Sequence, residues 1–308
     1  SLKDISYKAI DAVGHRVVHG GEYFREPKII NKDTMNKIRR CSELAPLHNP
    51  ANIAGIEACQ ELLPRIPQVA VFDTAFHQTI PPRAYLYAIP YRYYQKYNLR
   101  KFGFHGMSHQ YVAREAAKLL GRSLNQLRLI TCHLGNGCSM CAIKNGESLD
   151  TSMGFTPLAG LVMGTRSGDI DPAAVLYIMQ KENLSPAKME EMLNKQSGML
   201  GVSGVSNDMR LIERAVKKGN KRAELALSIF AYRIRKYIGS YMAIMGGVDA
   251  VIFTAGIGEN IDIKKIISFG GLLSFLKQLK VKVFVIHTNE ELMIAQEVYR
   301  LAAAEEKR

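Results

Sequence analysis

No run of apolar residues in this chain approaches the length of a bilayer span, and the first thirty residues hold no apolar core of the signal-peptide kind. The expectation is a cytoplasmic protein with no membrane partner. A disulfide framework is missing too: the five cysteines, an odd number, are scattered at 41, 59, 132, 138 and 141, as reduced thiols would be. Cys138-Ser-Met-Cys141 has Cys132 and His133 nearby. No second ligand pair stands at zinc-knuckle spacing, however, and on a strand the two thiols would face opposite ways. The formal net charge is +13, yet the bases are dispersed, with no long basic run and no interleaved aromatics. That pattern is not of the RNA-binding kind, and the charge says that anions are welcome and little more; no nucleic-acid partner is expected. No repeat of solenoid period is present.

What the chain does have is the balance of a soluble globular protein, 47% hydrophobic and 22% charged, over 308 residues, enough for two domains with separate cores. The most informative stretch runs from Arg128 to Pro172. Leu129, Ile130 and Thr131 open a strand that ends in the turn Leu134-Gly135-Asn136-Gly137; a second strand, Ser139 to Ile143, stops at Lys144-Asn145-Gly146, a type I′ hairpin signal. Glycines after a strand let backbone N–H groups approach an anion, here without a Walker lysine, although an ordinary hairpin fits Gly-Asn-Gly equally well. Gly164-Thr-Arg166-Ser-Gly168-Asp169 then sets an arginine between glycines, and Asp171-Pro172 caps a helix. A planar guanidinium on such a loop suits carboxylate or phosphate.

Elsewhere the pattern alternates. Strands are expected at Ala12 to His19, carrying Arg16, at Gln68 to Phe72 with Asp73 at its carboxyl end, at Asp249 to Thr254, and at Val281 to Ile286. Helices are expected after Asn31 or Asp33, after Asn49 as N-cap with Pro50, after Ser108, after Ser185 and over Lys221 to Met245. The last helix follows Asn289, with Glu290 and Glu291 in its first turn. The long helix shows Leu225, Ile229, Ile234, Tyr237, Ile238 and Tyr241 as its apolar set, Gly198 to Asp208 reads as a small-residue loop, and Ala255 to Asn260 as a third glycine turn. His105, flanked by Gly103-Phe104 and Gly106, is a candidate for ligand contact. Strand-to-glycine-loop junctions among alternating elements indicate an α/β architecture with one nucleotide cleft.

Eight motifs in order, His15-Arg-Val-Val-His-Gly-Gly21, Ala45-Pro-Leu-His-Asn-Pro50, Phe72-Asp-Thr-Ala-Phe-His77, Gly103-Phe-His-Gly106, His133-Leu-Gly-Asn-Gly137, Gly164-Thr-Arg-Ser-Gly168, Gly256-Ile-Gly-Glu-Asn260 and Thr288-Asn-Glu-Glu291, resemble the acetate kinase family from about Ala12 to Leu301. The resemblance implies two ribonuclease H-like domains of the acetate/sugar kinase, heat-shock chaperone and actin superfamily, here 1–74 plus 291–308 and 75–290, with ATP between them. It implies reversible phosphoryl transfer between ATP and acetate, giving ADP and acetyl phosphate, in a cytoplasmic homodimer. Arg16 and Arg166 would hold the carboxylate and the moving phosphoryl group, His48 would contact substrate, His105 would stabilise the transition state, and Asp73 would position or act as acid/base. His133, Leu134, Gly135, Asn136 and Gly137, with Asp208, Met209 and Arg210 and with Gly256, Ile257, Gly258, Glu259 and Asn260, would line the ATP site. Glu290 would help hold Mg²⁺ or Mn²⁺. Two expectations qualify this: family members begin with a strand and serine-rich phosphate loop not seen before Ser1, and they carry a longer stretch between Asn260 and Val281, so the first domain is expected to be incomplete. His287 also stands where the family usually has proline. Propionate or butyrate kinase, and a catalytically silent nucleotide-binding fragment, are the alternatives.

Overall fold

The computed structural model describes residues 9–46, 48–260 and 272–305; most of the connector expected over 1–11, and half of the stretch from Asn260 to Val281, lie outside them. The chain divides into two compact units, Ser1–Thr79 with Phe104–Tyr111 and Asn289–Arg308, and Ile80–Gly103 with Val112–Thr288. His105 and Glu290 fall in the same unit as Arg16 and Asp73.

The first unit is built on a three-stranded sheet of β1 (Val13–Val17), β2 (Lys28–Ile29) and β3 (Gln68–Phe72), ordered β1-β3-β2. β1 and β3 run parallel, β2 antiparallel to β3. β3, Gln-Val-Ala-Val-Phe, is buried along its whole length, as a central strand covered on both faces must be. One face packs Val17, Ala70 and Phe72 against Met35, Ile38 and Ile56 of the helices Lys32–Arg40 and Asn49–Leu62. The other packs Val69 and Val71 against Met107 and against Met293 and Val298 of the helix Glu290–Glu305. That last helix lies so close to β1 that a Cβ on Gly14 would overlap Ile294 and Val298, so glycine is what admits it.

Asn31 caps its helix as expected, accepting from the Thr34 N–H at 2.9 Å. Asn49 does not cap. The N-cap position is His48, without a side-chain bond, and Asn49 is buried with its amide committed to the backbone of His19, accepting from its N–H at 3.1 Å and donating to its carbonyl at 2.9 Å. Asn52 accepts from the Val18 N–H in the same way, at 3.1 Å. Beyond the end of β1 those backbone groups have no strand partner, and leaving them buried and unbonded would cost more than an uncapped helix end.

The second unit carries a five-stranded sheet, β4 (Arg128–Leu134), β5 (Cys138–Lys144), β6 (Glu147–Thr151), β7 (Ala250–Thr254) and β8 (Lys282–Val285), in the order β6-β5-β4-β7-β8. β6, β5 and β4 form an antiparallel meander; β4, β7 and β8 run parallel. Asn145 and Gly146 both have positive φ, 57° and 86°, as the type I′ turn requires. The helix Lys221–Met245, capped by Asn220 and closed by Gly246 at φ 72°, packs on β4 and β5 as well as on neighbouring helices, and buries Phe230, Ile234, Ile238 and Tyr241. Leu225 is not part of that face: it is 53% exposed, and Ala226 and Leu227 are buried in its place.

Three other boundaries differ from expectation. Gly198–Ser203 is a short helix rather than loop. Gly106, not Ser108, begins the next helix, because the His105 carbonyl already accepts from the His109 N–H at 3.0 Å. Ala255–Asn260 is one helical turn and a half, held by Glu259, whose carboxylate reaches back to the Ala255 N–H at 2.8 Å in the manner of a capping box.

Candidate active site

In the first unit the carboxyl ends of β1 and β3 bring Arg16 and Asp73 together. The guanidinium donates two bonds to the Asp73 carboxylate, from Nη2 at 2.6 Å and Nε at 3.1 Å, a planar fork on a side chain only 2% exposed. The close approach at Gly14 seats the first turn of the helix Glu290–Glu305 beside this pair, with the Glu290 carboxylate 3.8 Å from Arg16 Nε. Burial pushes the Asp73 carboxyl above its ordinary range; Arg16, and more weakly His48, pull it back only in part. Burial raises Glu290 as well, and the Asp73 charge adds to that shift. Burial would lower Arg16, but the charges of Asp73, Glu290 and Glu291 more than offset it. One guanidinium is thus shared among several carboxylates.

His105 follows Asp73 through the backbone: the Gly106 N–H donates to the Asp73 carbonyl at 2.9 Å, and a Cβ at Gly106 would strike that oxygen. His105 itself sits in the left-handed region, φ 58°, which a non-glycine residue holds only where its surroundings enforce it. His48 is exposed at the start of its helix. Buried beneath are His19 and His77; His77 Nε2 lies 3.0 Å from the Phe104 carbonyl, next in chain to His105.

In the second unit the expected nucleotide loops converge. β4 and β7 are parallel neighbours with His133 opposite Thr254, so the turn after β4 and the helix after β7 open at the same edge of the sheet. Gly135 lies against Ala255, whose φ of 65° marks a second strained junction. Asn136 ties the next loop in: its carbonyl accepts from the Gly164 N–H at 3.1 Å, and a Cβ on Gly164 would collide with its Oδ1. Asn207 Nδ2 donates to the same Oδ1 at 3.2 Å. Asn207 was not singled out from sequence; its place directly before the Asp208 N-cap was the available signal.

Several expected contacts take another form. Leu134 and Met209 are buried in the core, 0% and 3% exposed, leaving only their backbone to face a ligand. Asp208 caps the helix Met209–Lys217 and is gripped by Arg210 at 2.6 Å; those bonds from Arg210 hold its carboxyl down to about 2. Glu259 is saturated internally: Oε1 accepts from Thr254 Oγ1 at 3.1 Å, the Ala255 N–H at 2.8 Å and the Thr288 N–H at 2.9 Å, while Oε2 meets His287 at 2.8 Å. It braces the loop bearing Gly256, Ile257 and Gly258. Asn260 ends that short helix.

Arg166 is the reverse of Arg16. Its Nη1 donates to the Pro157 carbonyl at 3.3 Å and touches Met163 Sδ at 3.9 Å, and among the described residues no carboxylate pairs with it. Burial lowers its pKa, with only a small opposing pull from Cys138. All five cysteines are free thiols, Cys138 and Cys141 are fully buried and pushed up by burial, and the described residues hold no cluster of three metal-ligating side chains.

Residues 3–275 match the model of the Acetokinase family. The chain belongs to that family. Its similarity to curated relatives is extensive: it is 57% identical over 317 residues to the acetate kinase of Caldicellulosiruptor saccharolyticus, covering 96% of this chain and 79% of the relative. The acetate kinase of Acetivibrio thermocellus is likewise 57% identical over 315 residues, at 96% and 79% coverage. Among solved structures, Porphyromonas gingivalis acetate kinase superposes with a TM-score of 0.92 at 47% identity, over 97% of this chain and 82% of that one. A propionate kinase from Francisella tularensis gives 0.88 at 49% identity, over 95% and 80%. The fold is therefore the two-domain fold of these carboxylate kinases.

Proposed function

We propose that this chain is an acetate kinase, passing the γ-phosphoryl group of ATP to acetate and back, and that Arg166 is the cation that receives the moving phosphoryl group. Joining a carboxylate to a phosphate brings two anions together, so the protein must supply positive charge and alignment rather than covalent chemistry. The observation that supports this most is the electrostatic state of Arg166: a half-buried guanidinium on a rigid glycine loop, without a carboxylate partner among the described residues, is a charge arranged for an incoming anion. His105, held at φ 58° in the first unit, is the residue proposed to stabilise the transition state. The loops His133–Gly137, Asn207–Arg210 and Gly256–Gly258 take the nucleotide, mostly through backbone N–H groups, since their side chains are largely committed.

Asp73 serves as a positioning residue in this scheme, because acetate has no proton to lose near neutral pH and both Asp73 oxygens are already bonded to Arg16. The cluster also fits the divalent cation typical of kinases. Asp73 and Glu290 are each raised by burial and have one guanidinium between them, a site short of positive charge, and one or two carboxylates together with substrate phosphates are how Mg²⁺ is ordinarily held. Bound there, Mg²⁺ would supply charge neutralisation at the phosphate oxygens. Glu290 is the residue assigned to it. The enzyme works as a homodimer in the cytoplasm.

The acyl chain is the remaining choice. A methylene in an apolar pocket shifts binding by only about 1–3 kcal/mol, and the identities to the acetate and propionate kinase structures, 47% and 49%, do not separate the two. Turnover measured with acetate, propionate and butyrate, beside calorimetry with ADP, tests the proposal: highest kcat/KM with acetate supports it, a longer acyl chain preferred moves it to the sister activity, and ADP binding without turnover on any acid refutes it.

A further inference from the structure

The loop bearing Arg166 is pinched at its base. The Asp169 N–H donates to the Gly160 carbonyl at 3.0 Å, and the Gly160 N–H donates back to Asp169 Oδ1 at 2.8 Å. At the tip, the Met163 N–H donates to the Arg166 carbonyl at 3.1 Å. Gly160 and Gly168 hold φ of 104° and 69°, and a Cβ on either would strike neighbouring backbone, so the pinch is built for glycine. The other oxygen of Asp169 leaves the loop. Oδ2 accepts from Tyr237 Oη at 2.7 Å and lies 3.8 Å from Arg233 Nη1, and Arg233 Nη2 donates to the Asp169 carbonyl at 3.3 Å. Tyr237 and Arg233 stand one turn apart on the helix Lys221–Met245, and the Tyr237 ring is itself set edge-on against buried Tyr241, 5.6 Å between centroids.

We propose that Asp169, clamped by Tyr237 and Arg233, is a positioning residue that fixes the Arg166 guanidinium for phosphoryl transfer. The clamp ties the arginine loop to the 25-residue helix Lys221–Met245, which packs on the same strand, β4, that leads into the Gly135-Asn136-Gly137 turn. It also anchors both sides of the contact Arg166 makes: the Pro157 carbonyl precedes Gly160 by three residues, and Arg166 precedes Asp169 by three. A carboxylate suits position 169 because the Gly160 N–H donates to one oxygen and Tyr237 Oη to the other, with the Arg233 guanidinium 3.8 Å away, and an amide would turn its NH₂ toward one of these partners.

This inference rests on the role given to Arg166, and the test separates the two. Asp169→Ala, Asp169→Asn and Tyr237→Phe are made in the wild-type chain and in Arg166→Ala, and kcat, KM for each substrate, ADP affinity and thermal midpoint are measured. Asp169→Ala should lower kcat on the order of 100-fold, the scale of a misplaced catalytic group, with KM for ATP and ADP affinity unchanged. Asp169→Asn keeps an acceptor and should recover about tenfold of that loss, and Tyr237→Phe, which removes one O–H, should cost about three- to tenfold. In the Arg166→Ala background all three should change kcat by less than about twofold, since the group they position is gone. Equal losses in both backgrounds, or an Asp169→Ala enzyme at wild-type kcat, overturn the positioning role. Full turnover by Arg166→Ala alone overturns the role of Arg166, and the clamp with it. If Asp169→Ala does not fold, Tyr237→Phe carries the same comparison.

Discussion

Replacing Asp73 by asparagine changes the site by one charge and almost no volume, and so distinguishes a positioning carboxylate from an acid/base. In the native chain Arg16 gives Asp73 two charge-assisted bonds, at 2.6 and 3.1 Å. An amide has one acceptor oxygen; its NH₂ would face a guanidinium N–H, donor against donor, so one bond is lost outright and the other is weakened. A hydrogen bond to a charged group contributes about 1.5–3 kcal/mol, and each ~1.4 kcal/mol is tenfold in rate, so kcat should fall about 10- to 200-fold if all of that loss is felt in the transition state. Stability should move less, because the variant no longer buries a carboxylate whose desolvation already opposes its ionisation. The assay is a coupled measurement of ADP formation from pH 5 to 9 with acetate and ATP varied in turn. A positioning role leaves the shape of the pH profile of kcat/KM above pH 6 unchanged while its height drops. If instead Asp73→Asn abolishes a limb of the profile, Asp73 exchanges a proton in the reaction; if kcat falls less than about threefold, the ion pair does not organise the site.

Arg166→Ala should cost about 10³-fold or more in kcat, the scale on which an arginine stabilises phosphoryl transfer, and a loss below about tenfold would remove it from the transition state. His19 should give the protein an acid-labile component. Its Nδ1 accepts from the Gly21 N–H at 3.0 Å, so the folded ring is neutral, and burial lowers its pKa to about 4 from 6.5. A lowered folded pKa stabilises fully above the unfolded value and loses that stability as pH falls, so about 3 kcal/mol should disappear between pH 6.5 and 4; urea titrations across that window should show the slope in the native chain and not in His19→Gln. Glu259 has the same sign in a lower window: burial alone would raise it, but its bonds to Thr288, His287, Ala255 and Thr254 leave its pKa below the ordinary value, so its contribution is complete above about pH 4.5 and is lost as pH falls through the folded value. Glu259→Gln should destabilise by about 1–3 kcal/mol in urea at pH 7 and flatten acid unfolding below pH 4.5, and an unchanged midpoint would mean that the bracing is redundant. Cys138→Ser with Cys141→Ser should retain ADP affinity, and metal analysis of the native protein should find no stoichiometric zinc.

The strands, their glycine ends and the capped helices were legible because each is a local pattern. Asn31, Asp171 and Ser185 cap where they stand, and Asn145-Gly146 turns as its φ angles require. What escaped the sequence was decided by partners far along the chain. Asn49 has every local mark of an N-cap and is bonded thirty residues away to His19, while Glu259 sits in a glycine-rich motif and yet turns its carboxylate on Thr254 and Thr288. Spacing alone placed Leu225 on the apolar face of its helix, but the buried stripe is set by the helices and strands that pack against it, and Ala226 and Leu227 are buried while Leu225 is exposed. Asp169 was visible only as the end of an arginine motif; its second oxygen is claimed by a tyrosine 68 residues later.

The two arginines differ in what surrounds them, and the difference assigns them different work. Arg16 shares its single positive charge with the buried Asp73 and with Glu290, so that cluster at rest is net negative and would repel a carboxylate or a phosphate approaching alone. It becomes receptive to an anion once further positive charge enters, which makes binding there conditional. Arg166 has no such commitment among the described residues, and its loop is fixed by backbone bonds at base and tip before any ligand arrives. Preorganised charge stabilises a transition state most when it needs no rearrangement at the moment of reaction. On that ground the proposed function assigns the phosphoryl group in flight to Arg166, and assigns Arg16 to the ground-state binding of carboxylate and cation. Arg16→Ala should accordingly raise the KM for acetate and the Mg²⁺ requirement more than it lowers kcat, whereas Arg166→Ala should act on kcat; the opposite split would reverse the assignment.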